Sequence, residues 1–154
     1  MGGSKAIVLF ALLCGHALAT NPAGKKFLEE KSKDEGVITL KSGLMYKVLK
    51  TGHGKRHPGI DTPCSCHYKG TLIDGTKFDS SYDRGKPTTF APMQVIKGWT
   101  EAMQLMVEGD KWEMYIPSEL AYGERGAGGV IPGGAALVFE MEIIKIDADD
   151  NAEA

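Results

Sequence analysis

The sequence has little cysteine, no marked excess of either charge and no apolar run long enough to cross a bilayer. Its 154 residues include three Cys, and 18 Lys and Arg against 20 Asp and Glu give a net charge of −2. A nucleic-acid-binding surface needs a dense basic patch, and a membrane span needs about 20 apolar residues. We therefore predict no nucleic-acid partner and no membrane anchor. The chain is long enough for one domain with a hydrophobic core.

The longest apolar run, residues 6–14, lies near the N-terminus behind a positive charge at Lys5. Residues 17–19, Ala-Leu-Ala, place small side chains at the positions that signal peptidases require. We therefore predict a signal peptide over residues 1–19, a mature chain that begins at Thr20, and a location that is secreted, in the secretory pathway or periplasmic.

The Cys and His residues near position 60 are the candidates for a disulfide or a metal site. Cys64 and Cys66 are two apart in a strand-like run, so their side chains share one face, and a disulfide between them would strain an extended backbone. His67 falls on the opposite face, and His53 and His57 lie in a glycine-rich loop rather than on a helix. We predict free thiols and no metal. A hydrolase elbow and a complete phosphate-binding glycine motif are both lacking.

The first residues of the predicted mature chain are polar, with Lys and Glu at helical spacings. Asn21-Pro22 is a typical helix start and Gly36 a typical helix end. Phe27 and Leu28 are the only large apolar residues between Thr20 and Gly36, so we expect the extension over residues 20–39 to be helical and to lie loosely against the domain. Whether it forms a dimer is left open, because it is too short and too polar for a convincing coiled coil.

One segment of the domain has the spacing of an amphipathic helix. Over residues 95–106, Trp99, Ala102, Met103 and Met106 recur at i, i+3, i+4 and i+7. A single helix in a compact domain must bury this stripe against a sheet, so we expect the helix at the centre of the core.

The remaining segments favour strands. Trp112, Met114 and Ile116 alternate with polar residues and Tyr115, which predicts one buried and one wetter face. The fold class is therefore α+β: a curved antiparallel sheet of about five strands wrapped over one short helix. The predicted strands are residues 44–50, 64–73, 77–79, 88–90, 110–117 and 137–143; the domain spans 40–147, and the acidic tail 148–154 is expected to be disordered.

Four stretches of the chain agree with one known family. They are HYKGTLIDGTKFDSS at 67–81, VIKGW at 95–99, the segment 116–123 with Ile-Pro and Leu-Ala-Tyr-Gly at its ends, and the segment 131–139 with Ile-Pro and Leu-Val-Phe at its ends. In this order they resemble the FKBP (tacrolimus-binding) peptidyl-prolyl cis-trans isomerases over residues 40–147. The signal peptide, the sequence GWTEAMQLM and the short spacing from Phe90 to Val95 resemble the macrophage infectivity potentiator subgroup.

The resemblance implies an FKBP-like half-barrel and an enzyme without a cofactor. Its substrates would be X–Pro bonds of exported polypeptides, and tacrolimus-like and rapamycin-like macrocycles would inhibit it. Trp99 would form the floor of a desolvated aromatic pocket, and the Ile96 N–H would face the ligand. Carried over by motif, the catalytic residues are Tyr68, Asp79 and Tyr122, and the substrate-binding residues are Phe78, Arg84, Phe90, Val95, Ile96, Trp99, Ile131 and Phe139.

Three questions stay open at this point. Asp79 either acts in catalysis, by interacting with the rotated carbonyl carbon or by orienting Tyr68 and Arg84, or forms only a structural pair with Arg84, since a buried charge is rarely left unpaired. Thr88 stands where the family usually has an aromatic residue after the proline, which puts tight macrocycle binding in doubt more than catalysis. The alternative function is a non-catalytic module that binds proline-containing or apolar segments as a chaperone or an adhesion or virulence factor.

Overall fold

The computed structural model describes residues 19–147. The predicted signal peptide, apart from Ala19, and the predicted disordered tail lie outside the described residues, so these two predictions and the domain boundaries stay predictions. No helix within residues 19–147 is both long enough and apolar enough to cross a membrane.

The core of the fold is an antiparallel sheet that has seven strands within the described residues. Its strand order is β1-β2-β6-β7-β3-β4, and β5 pairs with β3 at the same edge as β4. Six of the seven strands correspond to the six predicted segments, and the additional strand is β1, which is three residues long and was not predicted. The strands are β1 (Val37–Thr39), β2 (Met45–Lys50), β3 (Cys64–Leu72), β4 (Lys77–Ser80), β5 (Thr88–Phe90), β6 (Lys111–Ile116) and β7 (Leu137–Ile146).

The predicted apolar helix is α2, Lys97–Leu105, which follows the first helix α1, Pro22–Lys31. The predicted stripe is buried: Trp99 is 5% exposed, and Ala102, Met103 and Met106 are fully buried in one core cluster with the inner face of the sheet. Burial of such a side chain stabilises the fold by about 1.5–3 kcal/mol. The stripe therefore holds the helix against the sheet.

Helix α1 packs against the domain more closely than its sequence indicated. The Asn21 side chain caps it by accepting from the Gly24 N–H at 2.8 Å. Phe27 meets the Tyr115 ring edge-on at 6.2 Å between centroids, and the Lys31 ammonium lies 5.4 Å from the Tyr115 centroid. Tyr115 is consequently only 2% exposed. These contacts cover Tyr115, which was assigned to the wetter face of β6, although Gly24 is the only buried residue within α1.

The helix is also shorter than predicted. It ends at Lys31 rather than at Gly36, and the next residues turn into β1, which pairs with β2 from Val37↔Lys47 to Thr39↔Met45. Gly36 has a φ of +81°, so it serves the turn into the strand rather than the end of the helix.

Candidate active site

A cavity of about 450 Å³ opens between the sheet and the N-terminal end of α2. The Trp99 indole lies beneath it and is surrounded by three rings: Phe139 at 4.8 Å, Tyr68 at 5.0 Å and Phe90 at 5.2 Å between centroids. The first two contacts are edge-on, at 81° and 72°. The cavity is lined by Tyr68, Phe78, Asp79, Thr88, Phe90, Gln94, Val95, Ile96, Trp99, Tyr122 and Phe139.

The rings hold one another in place. Each edge-on aromatic pair is worth about 0.5–1.5 kcal/mol beyond the area that it buries, so Trp99 is fixed from three sides. Its indole Nε1 is buried and has no hydrogen-bond partner among the described residues. The floor of the cavity is therefore an indole packed against rings on three sides.

A bulge between β3 and β4 brings two neighbouring residues into the same cavity. Gly70 pairs with Asp79 while Thr71 pairs with Lys77, so Phe78 is the extra residue of β4. Neighbouring strand residues normally point to opposite faces, and a bulge changes the direction of a side chain. Both Phe78 and Asp79 consequently line the cavity.

Gly70 makes room for this arrangement, and the sequence analysis did not identify it. A Cβ at this position would lie 2.5 Å from Phe139 and 2.6 Å from Phe78, whose rings meet edge-on at 5.5 Å. The sequence did contain a feature that could have identified Gly70, because a glycine inside a strand often marks a bulge or a place where another group approaches the backbone closely.

The polar edge of the cavity is a closed hydrogen-bond triangle. The Tyr68 hydroxyl donates to Asp79 Oδ2 at 2.6 Å, and Arg84 donates from Nη1 to Asp79 Oδ1 at 2.6 Å and from Nη2 to the Tyr68 oxygen at 2.8 Å. Arg84 Nη2 also donates to Thr88 Oγ1 at 3.2 Å. Asp79 therefore pairs with Arg84 and also orients Tyr68.

This triangle fixes the protonation of its members. Burial acts to raise the pKa of Asp79, but hydrogen bonds from Tyr68 and Arg84 outweigh it and the pKa lies below its ordinary value. Burial, together with the hydrogen bond to Asp79, raises the pKa of Tyr68. Around neutral pH the carboxylate is charged and the phenol keeps its proton.

Tyr122 stands at the mouth of the cavity and is 39% exposed. Burial, and to a lesser extent the charge of Asp79, raises the pKa of Tyr122, so its hydroxyl is a neutral donor at physiological pH. The loop that carries it is closed at its base, where the Gly123 N–H donates to Ser118 O at 2.9 Å and the Gly134 N–H donates to Gly123 O at 2.8 Å.

Another part of the cavity wall is the entry to α2. Ile96 is the N-cap of this helix, and its carbonyl accepts from the Thr100 N–H at 3.0 Å. The helix does not require the Ile96 N–H, which is one of the free donors of a helix N-terminus. Gln94, which sequence reasoning missed, lines the same wall, and its Oε1 accepts from the Ala91 N–H at 2.8 Å.

The sequence comparisons decide the family. Residues 54–144 match the family of FKBP-type peptidyl-prolyl cis-trans isomerases, and residues 16–48 match the domain that precedes this isomerase in its relatives. The chain belongs to the FKBP-type isomerases. The macrophage infectivity potentiator of Trypanosoma cruzi is 54% identical over 123 residues, which are 80% of this chain and 63% of that protein. The 22 kDa FKBP-type isomerase of Escherichia coli is 52% identical, over 80% of this chain and 59% of that protein.

Solved structures agree with the FKBP fold. A peptidyl-prolyl cis-trans isomerase from Pseudomonas syringae superposes with a TM-score of 0.77 at 36% identity, covering 87% of this chain and 96% of that one. FkpA from E. coli gives the same TM-score at 42% identity, covering 81% of this chain and 58% of that one. The predicted family and the α+β class are confirmed. The chain spans about half to three fifths of the length of most of the curated relatives that it matches.

Nine of the eleven residues that the FKBP resemblance assigned to the site line the cavity. Arg84 is not a lining residue and reaches the cavity through its hydrogen bonds to Asp79, Tyr68 and Thr88. Ile131 is 7% exposed and belongs to the core cluster, where its carbonyl accepts from the Ala127 N–H at 2.9 Å. The geometry thus groups nine of these residues, and their roles stay predictions.

The thiol and imidazole groups are placed away from this FKBP cavity. Cys64 and Cys66 are free and fully buried, and burial raises the pKa of Cys64 to about 11. His67 bonds Ser81 Oγ at 2.8 Å, and His57 bonds the Met106 carbonyl at 3.0 Å. Within residues 19–147, no cluster of three or more Cys, His, Asp or Glu could hold a metal ion.

Proposed function

We propose that this chain accelerates cis–trans rotation about X–Pro bonds, with the aromatic cavity as its site. The observation that carries the proposal is a cavity of about 450 Å³ floored by an indole and walled by apolar rings, with its one charged lining residue, Asp79, held at one edge by Arg84. A proline ring fits an apolar cavity of this kind, and the polar edge faces the rest of the peptide.

The physical basis is differential solvation of the amide. Resonance keeps the peptide bond planar and opposes rotation by roughly 18–20 kcal/mol. The planar amide is the more charge-separated form, so water stabilises it more than the twisted form. A dry cavity removes that water and favours the twisted amide relative to the planar one. A thousandfold acceleration needs only about 4 kcal/mol of this difference.

No proton transfer is required, and the polar triangle is suited to holding position instead. Asp79 stays ionised and Tyr68 stays protonated around neutral pH, because each is fixed by the other and by Arg84. Asp79 then interacts with the carbon of the rotated carbonyl, while its pairing with Arg84 keeps it in place. The two hypotheses for Asp79 are therefore compatible.

Two donors are available to the carbonyl oxygens of the substrate. The Ile96 N–H lies at the free end of α2, where the helix dipole favours a negative oxygen, and the neutral Tyr122 hydroxyl stands at the mouth. We assign Ile96 to the ground-state contact with the chain beside proline, and Tyr122 to the loop that closes over the substrate.

Export and inhibition belong to the same proposal. The predicted signal peptide places the mature chain in the secretory pathway or the periplasm, where folding or extracellular polypeptides supply the X–Pro bonds. Tacrolimus-like and rapamycin-like macrocycles would occupy the same apolar cavity and compete with the substrate.

The test is protease-coupled isomerisation of a proline tetrapeptide by the mature chain, with and without tacrolimus. We expect acceleration that the macrocycle abolishes, and we expect Asp79→Ala and Tyr122→Ala to slow turnover while the fold is kept. Tyr82→Ala is the matched control, since Tyr82 has nearly the same exposure as Tyr122, 40% against 39%, and does not line the cavity. Equal rates for the control and both site variants would show that the site is misplaced.

The second candidate is a binding module that uses the same cavity without turnover, as a chaperone or an adhesion or virulence factor. Exposed Met93 near the cavity, 63% accessible on the turn that precedes α2, favours some binding of apolar segments beyond the proline itself. Uncatalysed rates in the isomerase assay, together with macrocycle binding by calorimetry, would support this candidate over the enzyme.

A further inference from the structure

Thr20, the predicted first residue of the mature chain, occupies a built polar site. It is only 3% exposed, although it lies near the start of the described segment. Its N–H donates to Glu119 Oε1 at 3.0 Å and its hydroxyl donates to Glu119 Oε2 at 2.8 Å, so one carboxylate receives both donors. The Ser118 N–H donates to Thr20 Oγ1 at 2.9 Å.

Thr20 and the next residue, Asn21, hold the two ends of the loop that carries Tyr122. Thr20 is bonded to the turn Ser118–Leu120, which leads into that loop, and the Asn21 N–H donates to Gly134 O at 2.8 Å where the loop ends. The start of the mature chain therefore ties the base of the loop at both sides, beside the cavity but outside it.

We propose that signal-peptide removal creates a binding site for the new chain end, in which the Thr20 α-ammonium pairs with Glu119 and braces the Tyr122 loop. This inference rests on the export part of the proposed function. A signal peptidase adds one water across the Ala19–Thr20 bond, leaving a carboxylate on Ala19 and an ammonium on Thr20. Because Thr20 is buried in the folded chain, this cleavage precedes folding.

The charges around Thr20 suit an ammonium better than an amide. The clefts beside it are lined by Glu119 and Glu124 from the domain and by Lys25 from α1. Two carboxylates and one ammonium leave a net negative site, which a new positive charge neutralises. Burial acts to raise the pKa of Glu119, but hydrogen bonds from its own N–H and from Thr20 lower it overall, so the carboxylate is ionised and ready to pair.

The experiment compares the chain that begins at Thr20 with the same chain retaining Ala19, each with and without Glu119→Gln. We expect the α-amine pKa of the Thr20 chain, followed by NMR, to lie about one unit above the ordinary value near 7.7–8.0. A raised pKa stabilises the fold fully below the unfolded value and loses that contribution as pH rises through the folded value. The Tm advantage of the Thr20 chain should therefore be present at pH 6 and absent at pH 10.

Glu119→Gln keeps an acceptor but removes the charge, so it should return the α-amine pKa to its ordinary value and abolish the Tm advantage. Glu35→Gln, at an exposed carboxylate that lines neither cleft, is the control and should leave both unchanged. Three results would each overturn the inference. They are an ordinary α-amine pKa in the Thr20 chain, an equal loss of the raised pKa and of the Tm advantage in both Gln variants, and a secreted chain whose first residue is not Thr20. Isomerase activity is measured separately. An ordinary α-amine pKa in a chain that is active overturns this inference alone. A raised α-amine pKa in a chain that is inactive overturns only the proposed activity.

Discussion

Replacing Gly70 by Ala tests whether the shape of the aromatic cavity, rather than its composition, produces the proposed activity. The added Cβ would lie 2.5 Å from Phe139 and 2.6 Å from Phe78, whereas carbon atoms settle at about 3.5–4.0 Å. Both rings, or the backbone of β3, must therefore move by roughly 1 Å. Forcing a methyl group into a packed site costs about 1–3 kcal/mol, and a 1 Å misplacement can lower a rate on the order of 10²-fold.

The assay is kcat/KM for a proline tetrapeptide, alongside the free energy of unfolding in urea. We expect Gly70→Ala to lose about 10²-fold in kcat/KM and about 1–3 kcal/mol of stability. Adding Phe78→Leu, which removes the nearer part of one ring, should restore part of the lost stability but not the activity. Such a double-mutant cycle isolates the contact between the two positions. Unchanged kcat/KM and stability in Gly70→Ala would refute the reasoning.

Two further predictions concern the polar edge. Asp79→Asn should lower kcat/KM about tenfold or more, since losing one hydrogen bond to a charged group costs about 1.5–3 kcal/mol. Because the pKa of Asp79 is lowered in the fold, any stability that its charge adds is present above about pH 4 and is lost as pH falls through the folded pKa, and acid titration of both proteins measures this loss. A pH–rate profile of the parent chain that bends between pH 5 and 9 would contradict a carboxylate that stays ionised. Thr88→Phe should tighten tacrolimus binding about five- to tenfold in calorimetry, because about 50 Å² of added apolar contact is worth about 1.2 kcal/mol. Thr89→Phe, on the exposed face of β5, is the control. Equal affinities in both variants would show that Thr88 does not limit macrocycle binding in the cavity.

The helix and the main strands could be predicted because their side chains repeat with a period that burial enforces. The stripe from Trp99 to Met106 could satisfy only a helix against a sheet, and it is buried as expected. Tyr115 and β1 could not be predicted in this way. The face of a strand depends on what covers it, and α1 covers Tyr115 through contacts with Phe27 and Lys31 that no local pattern encodes. β1 is only three residues long and takes its structure from pairing with β2.

The residues of the candidate site also divide into those that the sequence could predict and those that it could not. The resemblance identified nine residues that line the cavity because the family's motifs preserve their order. It also assigned Ile131 and Arg84, which are not among the lining residues; Ile131 is buried in the core cluster that also contains Trp99 and Phe139, and its role stays a prediction. Gln94 and Gly70 were missed for opposite reasons: Gln94 is an exposed polar residue without a pattern, and Gly70 contributes by having no side chain.

The polar triangle depends on register more than on residue type. Phe78 and Asp79 are adjacent in sequence, and in a regular strand only one of them would face the rings. The bulge opposite Gly70 is what allows the apolar ring and the carboxylate to share the cavity, with Asp79 within 2.6 Å of Tyr68 on the neighbouring strand. A slip of one residue would turn Asp79 away and bury an unpaired Tyr68 hydroxyl, at a cost of about 1–3 kcal/mol. The strand pairing thus sets the chemistry of the site, and the packing that fixes the fold also fixes the position of the carboxylate.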